Sequence, residues 1–132
     1  MSKYKFIKEY EIKASVKILY PYFSTPAGLQ EWFADSVKTT IDAQTYNFHW
    51  DNENHTGRIV SHRAGKSIKY EFLPESPEEE GDESYIEFRL DHNEITDTTF
   101  IKVIDYSKET DIEELNELWD GLIQSLKENV GG

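Results

Sequence analysis

The chain has 132 residues, 14% of them aromatic, no cysteine, and 26 Asp and Glu against 14 Lys and Arg, a formal net charge of −12. One domain of this length buries a core without disulfide or metal staples, and its aromatic content argues against disorder. The missing cysteines exclude thiol catalysis and thiolate metal sites, and the negative field makes nucleic acid and anionic membrane surfaces poor partners.

The N-terminus has no apolar signal core and no run is long enough to span a bilayer, so the sequence predicts a cytoplasmic protein without membrane insertion. Residues 4–14 alternate, with Tyr4, Phe6, Tyr10, Ile12 and Ala14 on one face, which predicts a half-buried strand. Lys8 falls on the apolar face, its stem expected to snorkel to the sheet edge. Ser15 is a helix cap for a short helix over Val16–Phe23, which Pro21 should kink or shorten. Thr25 and Pro26 supply the cap and first position of a second helix, with Leu29, Trp32 and Phe33 on one face.

From Ser36 to Asp105 the period changes to two. Strands are expected over Val37–Ile41, Thr45–Asp51, Gly57–His62, Ser67–Phe72, Tyr85–Leu90 and Ile95–Ile104. Between them, Asn52–Thr56 reads as a polar turn, Ala64-Gly65 as a hairpin turn, Pro74–Glu83 as an acidic loop and Asp91–Glu94 as a further turn. In the last strand Phe100 and Ile104 take one face and Ile101 and Val103 the other. Asp111 caps a final helix to about Asn129, with Gly131-Gly132 after it. Ile112, Leu115, Trp119, Leu122 and Leu126 form its apolar stripe, widened by Leu118 and Ile123. At roughly 1.5 Å per residue this helix crosses a domain of this size.

The element order is one strand, two short helices, about six antiparallel strands and one long helix, an α+β arrangement. A bent sheet of this kind has a concave apolar face that the last helix must cover. A concavity gripping a helix is rarely filled completely, so a cavity beside the helix is expected.

Specific residues add a resemblance. Ala14-Ser15, Leu19-Tyr20, Phe23, Ser24-Thr25-Pro26, Gly28-Leu29 and Glu31-Trp32-Phe33-Ala34-Asp35 are followed by Phe48, Trp50 and Gly57, and then by Leu118-Trp119, Leu122 and Leu126-Lys127. Together they resemble the START-like, helix-grip superfamily, in its activator-of-heat-shock-ATPase-like branch and, within that, the small START-like proteins of the Bacteroidota. The pattern departs at Pro21, and at Leu118, where activator homologues tend to carry Gly before the Trp. The resemblance implies a curved antiparallel sheet of six to seven strands around the C-terminal helix. That superfamily hosts binders, cyclases and co-chaperones alike, so fold does not fix function.

On that fold the inward aromatics define an expected apolar ligand pocket lined by Tyr20, Phe23, Trp32, Phe48, Trp50, Tyr70, Phe72, Phe88, Trp119 and Leu122. Tyr46, Ser61, Tyr70 and Thr99 are candidate polar groups within it. The bland alternative is that these rings simply fill the core. The implied function is non-catalytic binding of a small hydrophobic molecule, lipid-like ones included. The alternatives are a co-chaperone-like module docking on a chaperone or other protein, and a cyclase- or hydrolase-type enzyme.

Among the histidines, His49 should face outward beside Trp50, and His55 and His92 fall in expected turns; His62 has no partner at catalytic or metal spacing. Asp51, Glu53 and His55 alternate as a carboxylate–imidazole set, and Glu78-Glu79-Glu80 form an acidic run, but both read better as solvated segments than as metal sites. Asp105 is the one acid on an inward face, near a strand end where exposure is usual. A buried Asp105, or a histidine lining the cavity, would strengthen the enzyme reading. No phosphate-loop or serine-nucleophile motif is present, and no cofactor or metal is expected.

Overall fold

The computed structural model describes residues 3–40, 44–74, 77 and 80–131. Alternating residues make seven strands: β1 (Tyr4–Ile12), β2 (Ser36–Thr39), β3 (Thr45–Trp50), β4 (Glu53–Arg63), β5 (Ser67–Phe72), β6 (Tyr85–Asn93) and β7 (Thr98–Ser107). Three α-helices are added among the described residues: α1 (Val16–Ser24), α2 (Pro26–Gln30) and α3 (Ile112–Val130). All strands pair antiparallel in one sheet of order β1-β7-β6-β5-β4-β3-β2. The α+β helix-grip architecture is thus the one the element order implied.

Local chemistry sets the helix ends. The Ser15 hydroxyl accepts from the Ile18 N–H at 3.2 Å, and Thr25 Oγ1 accepts from the Gly28 N–H at 3.0 Å. Asp111 accepts from the N–H groups of Glu113 and Glu114, while Gly131 closes α3 in the left-handed region at φ 77°. Pro21 lies inside α1, which runs only three residues past it. A Cβ on Gly28 would stand 2.2 Å from the Pro21 carbonyl oxygen, so the absent side chain is what lets α2 fold back against α1.

Several turns differ from the sequence expectation. The polar segment expected over Asn52–Thr56 is mostly strand, because the β3–β4 connection takes only Asp51 and Asn52, both at positive φ (53° and 60°). That is the geometry of a tight two-residue hairpin, which Asp and Asn tolerate, and it pairs Trp50 directly with Glu53. Likewise Asp91, His92 and Asn93 extend β6 rather than turn, and the reversal falls at residues 94–97, with Asp97 at φ 55°. Ile95, expected to open the last strand, stands at that tip 96% exposed. Ile41, Glu78, Glu79 and Gly132 lie outside the described residues, so the expected end of β2 and most of the acidic run are not placed.

The core lies between the concave sheet face and the helices. Leu115, Trp119, Ile123 and Leu126 form the buried stripe of α3; Ile112 and Leu118, expected on it, are about half exposed. Lys8 bends toward α3 instead of the sheet edge, its Nζ 2.8 Å from Asp120 Oδ1 and 3.1 Å from Asn116 Oδ1. Tyr10 donates to the same Asp120 oxygen at 2.8 Å, so three polar contacts fix the helix over β1.

Candidate functional site

The two short helices plug only one half of the concave face. Phe23 from α1 sits 4.8 Å from Phe88, centroid to centroid, and Trp32, just after α2, sits 5.7 Å from the same ring. Backbone carbonyls at the plug satisfy the nearby hydroxyls. Tyr70 donates to Phe23 O at 2.6 Å, Tyr46 to Ser24 O at 2.9 Å and Tyr20 to Ser67 O at 3.0 Å. The indole N–H of Trp32 donates to Tyr22 O at 2.8 Å. Every polar handle of these rings is used locally, as buried Tyr and Trp require.

The other half is not plugged. There a cleft of about 500 Å³ opens between the N-terminal half of α3 and the strand ends opposite the plug. Leu115, Leu118, Trp119 and Leu122 form its helix wall. Phe33, Trp50, Phe72, Leu73 and Ile86 supply apolar surface from the sheet side, with Tyr85 and Tyr106 beside them. Phe33 ties the walls together, stacked at 5.9 Å on Trp119 and edge-on at 5.4 Å to Trp50. The mouth is marked by Leu73 and Leu118, 57% and 53% exposed.

Of the ten residues expected to line a pocket, Trp50, Phe72, Trp119 and Leu122 do so. Tyr20, Phe23, Trp32, Phe48, Tyr70 and Phe88 instead pack in or against the core around the plug. Among the expected polar groups none lines the cleft: Tyr46 and Tyr70 are tied to the plug, Ser61 is exposed beyond a β-bulge, and Thr99 is buried, donating to Ala14 O at 2.6 Å. Period-two alternation assigns a face, but depth along that face depends on where the helices end.

Two residues bring chemistry to the cleft. Asp105 lies near the end of β7, as expected, but with strands paired on both sides, at Phe6 and Ile86, it is only 7% exposed instead of solvated. Trp119 Nε1 donates to its Oδ2 at 2.9 Å. Burial pushes the carboxyl above the usual carboxylate range, opposed by hydrogen bonds from Trp119 and Ser107, while Glu109 adds repulsion. His55, expected in a turn, lies on the inner face of β4, stacked on Trp50 with centroids 4.3 Å apart. Its buried Nε2 has no hydrogen-bond partner, and the nearest acid is Glu53 at 3.9 Å.

The remaining histidines stand apart from the cleft. His49 meets Asn54 Oδ1 at 3.1 Å on the surface; His62 is exposed; His92, on β6 rather than in a turn, contacts Thr99 and Asp97. Asp51, Glu53 and His55 are split between the tight turn and β4. Among the described residues no group of three or more acids or histidines is arranged to hold a metal ion.

The fold and cleft define a helix-grip protein. A family model for the START-like superfamily domain matches residues 1–132, and the chain belongs to that superfamily. Solved structures agree on the fold. The Aha1 dimer from Colwellia psychrerythraea is 22% identical, with TM-score 0.75 over 94% of this chain and 93% of that one. MLL2253 from Mesorhizobium loti is 14% identical, with TM-score 0.75 over 97% of both chains. CalU16 from Micromonospora echinospora is 18% identical, with TM-score 0.68 over 92% of this chain and 73% of that one. No curated protein matches the sequence. Among the described residues no helix is long and apolar enough to cross a membrane.

Proposed function

We propose that this protein binds a small hydrophobic molecule, lipid-like ones included, in the cleft beside α3, without chemical conversion. One observation carries the reading: a cleft of about 500 Å³ walled mainly by aromatic and aliphatic side chains at the junction of sheet and helix. That volume falls within the roughly 300–1,000 Å³ of small-molecule sites. Leaving such walls wet costs about 25 cal/mol per Å² of apolar surface, which a ligand's apolar body would recover.

The enzyme reading draws on the buried Asp105 and the cleft-lining His55. Both side chains are already engaged or enclosed: Trp119 and Ser107 hydrogen-bond the carboxyl, and the His55 ring is stacked on Trp50 with Nε2 shut from solvent. Among the described residues no hydrogen bond or ion pair links the two into an acid–base pair, so binding is the reading we keep.

Nile red, an uncharged dye whose emission shifts to the blue in apolar surroundings, tests it. One dye should bind per chain and quench tryptophan emission, because Trp50 and Trp119 line the cleft. Leu122→Trp fills the cleft from the helix side and should weaken binding about tenfold or more, a loss of about 1.4 kcal/mol, while thermal unfolding stays cooperative. Absence of dye binding to the folded protein, or equal binding to the variant, would overturn the reading.

A further inference from the structure

A purely apolar ligand would have no use for a carboxyl group in the cleft. Asp105 is nevertheless held there at 7% exposure, between two paired strands, with the Trp119 indole N–H 2.9 Å from one oxygen and Ser107 hydrogen-bonded to the group. Burial raises its pKa, and both neighbours oppose that shift by favouring the charged form. None of the ion pairs formed among the described residues includes Asp105. The charged residues otherwise lining the cleft are mostly acidic: Asp51 and Glu109, both exposed, against Lys108. Aromatic faces at Trp50, Tyr85 and Tyr106 suit a cation further, because a ring face attracts positive charge.

Resting on the binding reading above, we propose that the ligand is a hydrophobic amine: an apolar body against α3 and a protonated nitrogen paired with the Asp105 carboxylate. An anionic amphiphile would set its charge against three carboxyl groups. A neutral one would leave the buried acid without a counter-charge, which is costly in a dry site. The amine satisfies body and head together. Trp119 serves both, its ring as wall and its N–H as the anchor that fixes the carboxyl. No carbon bond is made or broken; where burial has kept Asp105 protonated, its O–H proton passes to the free-base amine, forming the ammonium N–H, or to bulk water when the amine arrives already charged.

Isothermal titration calorimetry with 1-decylamine, 1-decanol and decanoate compares one chain length with three heads. At pH about 7.5, where the amine is charged, decylamine should bind about tenfold tighter than decanol, with decanoate weakest. In Asp105→Asn, which keeps an acceptor for Trp119, the amine-to-alcohol ratio should fall to near unity. The wild-type preference should persist when NaCl is raised from about 0.15 M to about 0.5 M, because salt screens surface charge far more than a buried pair. Equal binding of amine and alcohol by the wild type overturns the proposal without the variant. So does a preference that survives in Asp105→Asn, or one that disappears in high salt, since either assigns it to the general negative surface. If none of the three compounds binds, the binding reading itself falls; decanol binding without amine preference sinks this inference alone.

Discussion

Asp105 carries two opposed roles, and its protonation separates them. Burial raises its pKa above the ordinary carboxylate value, so the folded chain holds that proton more tightly than the unfolded chain does. For a raised acid the linked stability is fully present below the unfolded pKa of about 3.9 and is lost as pH rises through the folded value. Above that folded value the native protein bears the cost of a desolvated charge. Asp105→Asn removes that charge and keeps a carbonyl for the Trp119 N–H. The variant should be more stable at pH about 7.5, by on the order of 1 kcal/mol, the usual scale for one buried polar group. Urea unfolding from about pH 5 to 8 reads the gap, which should widen with rising pH until the wild-type acid is fully ionised. A less stable variant at the upper end would mean that the hydrogen bonds from Trp119 and Ser107 outweigh desolvation. A stabilised variant that has lost its preference for amines would be the exchange expected of a functional group held against folding interest.

Among elements, the contact that divides plug from cleft is the fold-back of α2 on α1. The Pro21 carbonyl accepts from the Thr25 N–H at 3.1 Å and from Thr25 Oγ1 at 2.8 Å, while Gly28 comes so close that a Cβ would meet Pro21 O at 2.2 Å and the Tyr22 Cα at 2.6 Å. These are backbone atoms, which cannot swing aside. Gly28→Ala should therefore cost about 2–4 kcal/mol in urea unfolding, the upper end of overpacking effects; a change under about 0.5 kcal/mol, the range of neutral surface substitutions, would refute the close approach. Elements of this size were largely legible in the chain. The caps at Ser15, Thr25 and Asp111 and the alternation of Ser67–Phe72 each reflect a local rule, and the structure follows them. Polarity misled at Asn52–Thr56 and Asp91–Asn93, because hairpin ends can be hydrophilic and still complete the ladder. The site was half legible for a related reason. Alternation put Phe88 and helical spacing put Trp119 on the concave side, but only packing decides that α1 and α2 fill one end and leave Trp119 lining a cleft at the other. His55 could have been found from its place two residues before Gly57 on the same face, had the turn been recognised as Asp51-Asn52 alone.

For the whole molecule the governing quantity is the net charge of −12 on 132 residues. A globular chain of this length has a radius of gyration of about 14 Å. At about 0.01 M salt the screening length is about 30 Å, so nearly all its charges sense one another; at about 0.15 M it is about 8 Å, and only neighbours do. Two effects of salt then compete. Screening relieves the self-repulsion of the compact acidic chain, which favours folding. It also weakens surface ion pairs such as Lys8–Asp120 at 2.8 Å and Arg89–Glu87 at 2.9 Å, but exposed pairs contribute only about 0–1 kcal/mol each. Repulsion should win, because 26 acids face only 14 basic residues, a net charge of −12 that no pairing can cancel. The melting temperature should rise as NaCl goes from about 0.01 to 0.15 M, by a few degrees, and then level off once the screening length is shorter than the spacing between charges. Differential scanning calorimetry at fixed pH decides the matter. A melting temperature that falls over this range would mean that the local pairs, the three-way contact of Lys8, Tyr10 and Asp120 first among them, hold the helix to the sheet more strongly than the collective field pushes the chain apart.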